Sequence, residues 1–103
     1  MAKHKFNAKP QECDSIKFPS KLEAAYYKKL KLAQKSGELL FFLRQPTFDL
    51  PGGTSYKADF LEFWEDGTVV VTDCKGFETK EFIRSKKQVE DLYPVEINVV
   101  KKV

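Results

Sequence analysis

Residues 56–76, YKADFLEFWEDGTVVVTDCKG, decide the fold, because two apolar runs flank the short polar stretch Glu65-Asp66-Gly67. Aromatic and β-branched residues on both sides of an Asp-Gly pair predict a β-hairpin. Asp59 opens the first strand, and Asp73 and Lys75 close the second. Aspartate is depleted in strands, and a desolvated charge is costly unless it is paired or binds a metal. The open end of this hairpin is therefore a candidate functional site.

The register of the hairpin decides whether that site can exist. If Asp66-Gly67 alone forms the turn, Asp59 lies opposite Cys74 and points to the wrong face. If all three loop residues form the turn, with the glycine left-handed, Asp59 lies opposite Asp73. We predict the second register because it gives one face a coherent apolar surface that a one-residue slip would scramble. That surface consists of Leu61, Phe63, Val69 and Val71. Opposed carboxylates repel, and a divalent cation between them would remove the repulsion.

The remaining elements follow from periodicity and caps. Ser20 is a good N-cap for a first helix that ends at Gly37, and Leu39–Leu43 is too short for a helix and suits a buried strand. A second helix begins at Thr79 or Lys80 and ends before Pro94, and residues 95–100 form the last strand. The predicted order is α-β-β-β-α-β.

An antiparallel hairpin followed by a right-handed helical crossover gives a mixed sheet flanked by helices. We therefore predict an α/β (α+β) fold with one domain over residues 15–103 and an N-terminal arm over residues 1–14.

Composition narrows the class of protein. The chain has 103 residues, of which 42% are hydrophobic, so it is long enough for one globular domain. It contains no apolar run near the roughly 18 residues that a membrane span needs, and its basic start lacks the apolar stretch of a signal peptide. Two cysteines make neither a disulfide framework nor a zinc quartet. A cytoplasmic protein is expected.

Glu23 has two explanations. Ser20 and Glu23 have the spacing of a capping box, which alone can account for the glutamate. Glu23 also shares a helix face with Tyr26, Tyr27 and Leu30, so an acid in this first turn can lean toward the sheet and reach a metal directly or through water. The two roles are compatible in part.

Glu23, Asp59 and Asp73 together suit Mg²⁺, which carboxylates bind while the ion keeps several waters. The predicted chemistry is phosphodiester hydrolysis, with Lys75 holding the attacking water or stabilising charge on the phosphate. Mn²⁺ is expected to substitute. Taken alone, Asp73-x-Lys75 has an ordinary alternative, a cross-strand ion pair at a sheet edge.

Basic residues at helical spacing can follow a phosphate backbone, although a solvated helix face explains such rows as well. Gln45 at the end of the first strand can reach the site, but a polar residue is also common at a strand end. The predicted nucleic-acid contacts are Lys21, Gln45, Lys80, Arg84 and Lys87.

The chain resembles the PD-(D/E)XK nuclease superfamily, whose core has the same element order. The resemblance rests on Asp59 in Lys57-Ala58-Asp59, on Asp73-Cys74-Lys75 and on Glu23. More narrowly, the chain is similar to small phage-encoded proteins related to phage endonuclease I, a Holliday-junction resolvase. The stretches that carry this similarity are Asn7-Ala8-Lys9, residues 16–24, Gln45-Pro46, Ala58-Asp59-Phe60 and residues 73–76. Asp73 departs from the more frequent glutamate, which shortens its reach by one carbon.

The resemblance implies a restriction-endonuclease-like core and a Mg²⁺-dependent endonuclease acting on branched DNA. It also implies a phage- or prophage-encoded homodimer in a bacterial host cell, with no membrane association and no small-molecule substrate. Two other functions stay open: a nucleic-acid-binding module with the same fold but no catalysis, and a small interaction protein whose acidic residues are structural.

Overall fold

The computed structural model describes residues 11–103, and within them the elements follow a regular order. Residues 1–10, most of the predicted arm, lie outside the described residues. The elements are β1 (Gln11–Cys13), β2 (Ile16–Phe18), α1 (Lys21–Ser36), β3 (Leu39–Arg44), β4 (Thr47–Leu50), β5 (Thr54–Lys57), β6 (Phe60–Trp64), β7 (Val69–Cys74), α2 (Lys80–Leu92) and β8 (Ile97–Val100).

A four-stranded sheet with strand order β3-β6-β7-β8 forms the centre of the domain. β6 pairs antiparallel with β3 and with β7, whereas β7 and β8 are parallel and are joined through α2. Together with α1, these strands give the predicted order α-β-β-β-α-β. The predicted α+β fold with a mixed sheet is confirmed.

The hairpin of β6 and β7 has the register that places Asp59 level with Asp73. Leu61 pairs with Val71 and Phe63 with Val69, so Asp59, one residue before β6, continues the same alignment. Gly67 has a φ of 91°, and its N–H donates to the Trp64 carbonyl oxygen. A left-handed residue at the end of a three-residue loop sets this register. The predicted loop and register are both confirmed.

Both helices begin at the predicted caps. The Glu23 N–H donates to Ser20 Oγ over 3.1 Å, and the Phe82 N–H donates to Thr79 Oγ1 over the same distance. Gly37 ends α1 in the left-handed conformation, with a φ of 91°. Within residues 11–103, neither helix is long and apolar enough to cross a membrane.

Two short hairpins complete the described chain, and neither was predicted from the sequence. β1 lies within the predicted arm, residues 1–14, and pairs with β2. β4 pairs with β5 through Pro51-Gly52-Gly53, in which both glycines have positive φ. The second hairpin matters for the site because it carries Tyr56.

The sheet separates two hydrophobic clusters, and the second is covered only in part. On one face, α1 packs Tyr26 and Leu30 against Phe60; on the other, α2 packs Phe82 and Val89 against Val71. β3 was predicted to be a buried strand, but it lies at the sheet edge with Leu40, Phe41 and Leu43 exposed. The predicted inner face of α2 was also too wide, since Ile83 and Leu92 are exposed. α2 covers β7 and β8 and leaves the β3 side open.

Candidate active site

Asp59 and Asp73 lie at the end of the sheet where β6 begins and β7 ends. The Asp59 N–H donates to the Thr72 carbonyl oxygen over 3.1 Å, which places the residue beside β7. Its Oδ2 accepts from the Cys74 N–H over 2.7 Å. This bond fixes one Asp59 oxygen against the backbone, next to the residue that separates Asp73 from Lys75.

Asp73 is buried and is held by contacts on both of its oxygens. Its side chain is only 1% exposed. Oδ2 accepts a hydrogen bond from the Tyr56 hydroxyl. Oδ1 lies 3.8 Å from Lys75 Nζ, too far for a hydrogen bond, and has no hydrogen-bond partner among residues 11–103. The Asp73 carboxyl group therefore keeps one buried oxygen available beside an ammonium group.

Glu23 reaches the same place from the first turn of α1. Its backbone N–H makes the capping bond to Ser20, while its side chain is buried. Oε2 lies 3.7 Å from Nη2 of Arg44 and accepts no hydrogen bond from any described residue. The cap explains the start of the helix, but it leaves this buried oxygen unexplained.

Burial and, to a smaller extent, the nearby Asp73 carboxyl group raise the pKa values of Asp59 and Glu23. Burial, followed by the nearby Asp73 carboxyl group, raises the pKa of Asp59 to about 8. Burial also raises the pKa of Glu23, and the Arg44 guanidinium offsets part of the rise. Strong perturbation by burial and by a neighbouring like charge is characteristic of functional sites. Asp59 and Glu23 therefore lie close to Asp73 and are also affected by it electrostatically.

Glu23 and Asp59 face a cleft of about 520 Å³ between the N-termini of the two helices, and Asp73 is not among the residues that line it. Glu23, Asp59 and Lys75 line it, together with Lys21 and Lys101. Helix N-termini and lysines both favour a bound anion. The cleft thus combines buried carboxylates with a rim that attracts phosphate.

The donor set fits a magnesium ion that keeps most of its waters. Among residues 11–103, no three carboxylates, histidines or cysteines are arranged around a common point that could hold a metal ion. Mg²⁺, however, is usually bound by only one or two carboxylates. Glu23 Oε2 and Asp73 Oδ1 are both buried carboxylate oxygens that accept no hydrogen bond within the described chain. Asp73 Oδ1 beside Lys75 and Glu23 Oε2 beside Arg44 are the two oxygens that match this chemistry.

The predicted nucleic-acid contacts divide into two groups. Lys21 lines the cleft. Gln45 is exposed on the β3–β4 connection, where its N–H donates to the Asp59 carbonyl oxygen over 2.9 Å and its φ is 57°. Lys80, Arg84 and Lys87 are exposed on α2 and are not among the residues that line the cleft. Gln45 therefore supports Asp59 through its backbone.

Two residues at the site were missed from the sequence. Tyr56 was not predicted to be a site residue, but its hydroxyl donates a hydrogen bond to Asp73. Arg44 stands beside Glu23, and its guanidinium carbon lies 4.6 Å from the centre of the Phe18 ring. An arginine at the end of an otherwise apolar strand was the available signal for the second residue. No local pattern marked the first.

A family profile matches residues 3–102, which is nearly the whole chain. The chain belongs to the DUF1064 family. The description of that family is "Protein of unknown function", so membership adds no activity to the geometry above. No curated protein matches the chain.

Proposed function

We propose that the protein is a Mg²⁺-dependent endonuclease that hydrolyses phosphodiester bonds in DNA, with branched DNA as its substrate. The observation that carries the proposal is that Glu23, Asp59 and Lys75 line one cleft together with other lysines, while Asp73 lies close to both carboxyl groups and beside Lys75. A structural ion pair needs one carboxylate beside the lysine. It does not account for a second buried acid, Glu23, or for the unbonded buried oxygens of Glu23 and Asp73.

Glu23 and Asp73 supply the oxygens that would hold the metal, and Asp59 stands next to both. When bound, Mg²⁺ polarises a phosphoryl oxygen and lowers the pKa of a bound water, and Mn²⁺ can replace it. Arg44 offsets part of the cost of burying the Glu23 carboxylate and so opposes the rise in the pKa of that group. Glu23 and Asp73 would therefore bind the metal directly, and Asp59 would support them.

Lys75 acts on the phosphate or on the attacking water. Asp73 holds its ammonium group nearby, and the Phe82 ring centre lies 5.2 Å from Nζ. A cation fixed in this way can stabilise the charge that grows on the phosphate during attack. Lys21 and Lys101, at the rim of the cleft, orient the DNA backbone by attracting its phosphates.

The preference for branched DNA, the homodimer and the location in the cytoplasm of a bacterial cell extend the resemblance to junction-resolving nucleases. Two symmetric cuts across a four-way junction require two sites. The exposed apolar residues of the edge strand β3 support a contact between two copies of the chain.

The decisive experiment compares a synthetic four-way junction with a linear duplex, in Mg²⁺ and in EDTA. We expect the wild-type protein to cut the junction only with metal, and Asp73→Asn to abolish cutting. Glu62→Gln is the matched control because Glu62 is equally buried on the opposite face of the sheet, where Tyr26 and Trp64 bind it. This control is expected to cut.

The melting temperature of the metal-free protein distinguishes a catalytic role of Asp73 from a structural one. Above pH 8, where Asp59 is ionised, Asp73→Asn relieves repulsion with Asp59, so it should raise the melting temperature in EDTA while it removes activity. A lower melting temperature would mark Asp73 as a structural ion-pair partner. Junction binding without cutting in Mg²⁺ or Mn²⁺ would indicate a binding module, and no salt-sensitive DNA binding would leave an interaction protein.

A further inference from the structure

Tyr56 connects the β4–β5 hairpin to the carboxylate site. Its side chain is buried, and its hydroxyl donates to Asp73 Oδ2 from 17 residues away in the sequence. The ring is held by two others, since its centre lies 6.4 Å from that of Phe48 in β4 and 6.3 Å from that of Phe82 in α2. The Phe48 and Phe82 rings therefore fix the position of the Tyr56 hydroxyl.

The hydrogen bond from Tyr56 gives the two Asp73 oxygens different roles. With Oδ2 engaged by Tyr56, the Asp73 carboxyl group cannot rotate without losing a buried hydrogen bond, and a buried bond left unmade is costly. Oδ1 is then directed toward Lys75 and accepts no hydrogen bond from residues 11–103. A neutral donor achieves this orientation without placing a second positive charge beside the cation site.

We propose that Tyr56 is a positioning residue that fixes the Asp73 carboxylate so that only Oδ1 is presented to a divalent cation. The inference rests on the proposed function, since it concerns the same site. Outer contacts that orient a metal ligand typically change metal affinity by about 10–100-fold when they are removed. Tyr56→Phe removes the hydroxyl and keeps the ring between Phe48 and Phe82.

The chain provides a matched control on the other face of the sheet. There the Tyr26 hydroxyl donates to Glu62 Oε2 over 2.7 Å, and both residues are buried. Tyr26→Phe therefore removes the same kind of bond, from a buried tyrosine to a buried carboxylate, without touching the cleft. A loss that follows only from lower stability should appear in both variants.

The test is Mn²⁺ binding by titration calorimetry on the wild type, Tyr56→Phe, Tyr26→Phe and Asp73→Asn, each well below its melting temperature in EDTA. We expect Tyr56→Phe to weaken Mn²⁺ binding about 10-fold or more. We expect Tyr26→Phe to stay within about 2-fold of the wild type, and Asp73→Asn to lose binding. The Mn²⁺ concentration that gives half-maximal junction cutting should rise in parallel for Tyr56→Phe.

The outcomes separate this inference from the proposed function. If Tyr56→Phe binds Mn²⁺ as tightly as the wild type while Asp73→Asn does not bind, the positioning role is overturned and the metal site stands. An equal loss in Tyr26→Phe would also overturn it, as would a Tyr56→Phe chain without a cooperative melt, because the hydroxyl would then maintain the fold. A wild-type protein that binds no Mn²⁺ would overturn both proposals.

Discussion

Asp59 makes the stability of the metal-free protein depend on pH in an unusual direction. Burial and Asp73 raise its pKa to about 8 from an ordinary value of 3.8, so between these limits the folded chain holds a proton that the unfolded chain releases. This contribution is complete below pH 4 and is lost as the pH rises through 8. We expect the free energy of unfolding in EDTA to fall by about 2 kcal/mol or more from pH 5 to pH 8.5, measured by urea denaturation.

Asp59→Asn is the control because it removes the titrating group and keeps the shape. Its free energy of unfolding should change less over the same interval, with the remaining slope coming from Glu23, whose pKa burial also raises. Added Mg²⁺ should restore most of the lost stability at pH 8.5, since binding favours the folded state. A wild-type protein that becomes more stable toward pH 8.5 in EDTA would contradict the raised pKa.

The sequence predicted individual site residues only where a local pattern marks them. Asp59, Asp73 and Lys75 stood out because charges at strand ends are unusual, and the hairpin loop fixed their alignment. Tyr56 could not be selected in this way, since its partner depends on how the β4–β5 hairpin folds onto α2. Convergence of the acids was predictable, whereas the groups that orient them depend on tertiary packing.

At the scale of the element, Gly67 holds the β6–β7 hairpin in the register that aligns the two aspartates. Its φ is 91°, and an added Cβ would meet no atom within 4 Å, so strain alone opposes a side chain there. We expect Gly67→Ala to lower the free energy of unfolding by about 1 kcal/mol in urea denaturation. Gly76→Ala is the control, since that glycine has equal space and no left-handed φ, and it should be nearly neutral. Equal losses would show that backbone conformation at Gly67 does not matter.

Whole elements were predictable where several signals agreed. Ser20, Gly37 and Thr79 bounded the two helices because caps and hydrophobic periodicity indicated the same limits. β1, β2, β4 and β5 have only three or four residues each, too few for a reliable period. β3 was placed in the interior because an apolar run cannot distinguish a buried strand from an edge strand whose outer surface is also apolar.

At the scale of the whole molecule, the two helices cover the sheet unequally. α2 packs on one face of the sheet but leaves part of that face uncovered. The uncovered part carries Phe41, Leu43, Phe63 and Val69. The Phe41 and Phe63 rings stack there with their centres 4.3 Å apart, and Phe41 and Leu43 are 44% and 51% exposed. β3 also has only one strand neighbour among residues 11–103. Exposed apolar surface beside an open edge favours pairing with another chain.

The proposed homodimer uses this edge, because two copies of β3 can pair antiparallel about a two-fold axis with the same residues on both sides. We expect the protein to sediment at twice its chain mass of 11.9 kDa, and Leu43→Lys to sediment as a monomer that still melts cooperatively. Leu92→Lys places the same charge on a leucine that is 53% exposed at the end of α2, and it should remain dimeric. If Leu92→Lys dissociates while Leu43→Lys does not, the contact lies on α2, and the edge strand is not the interface.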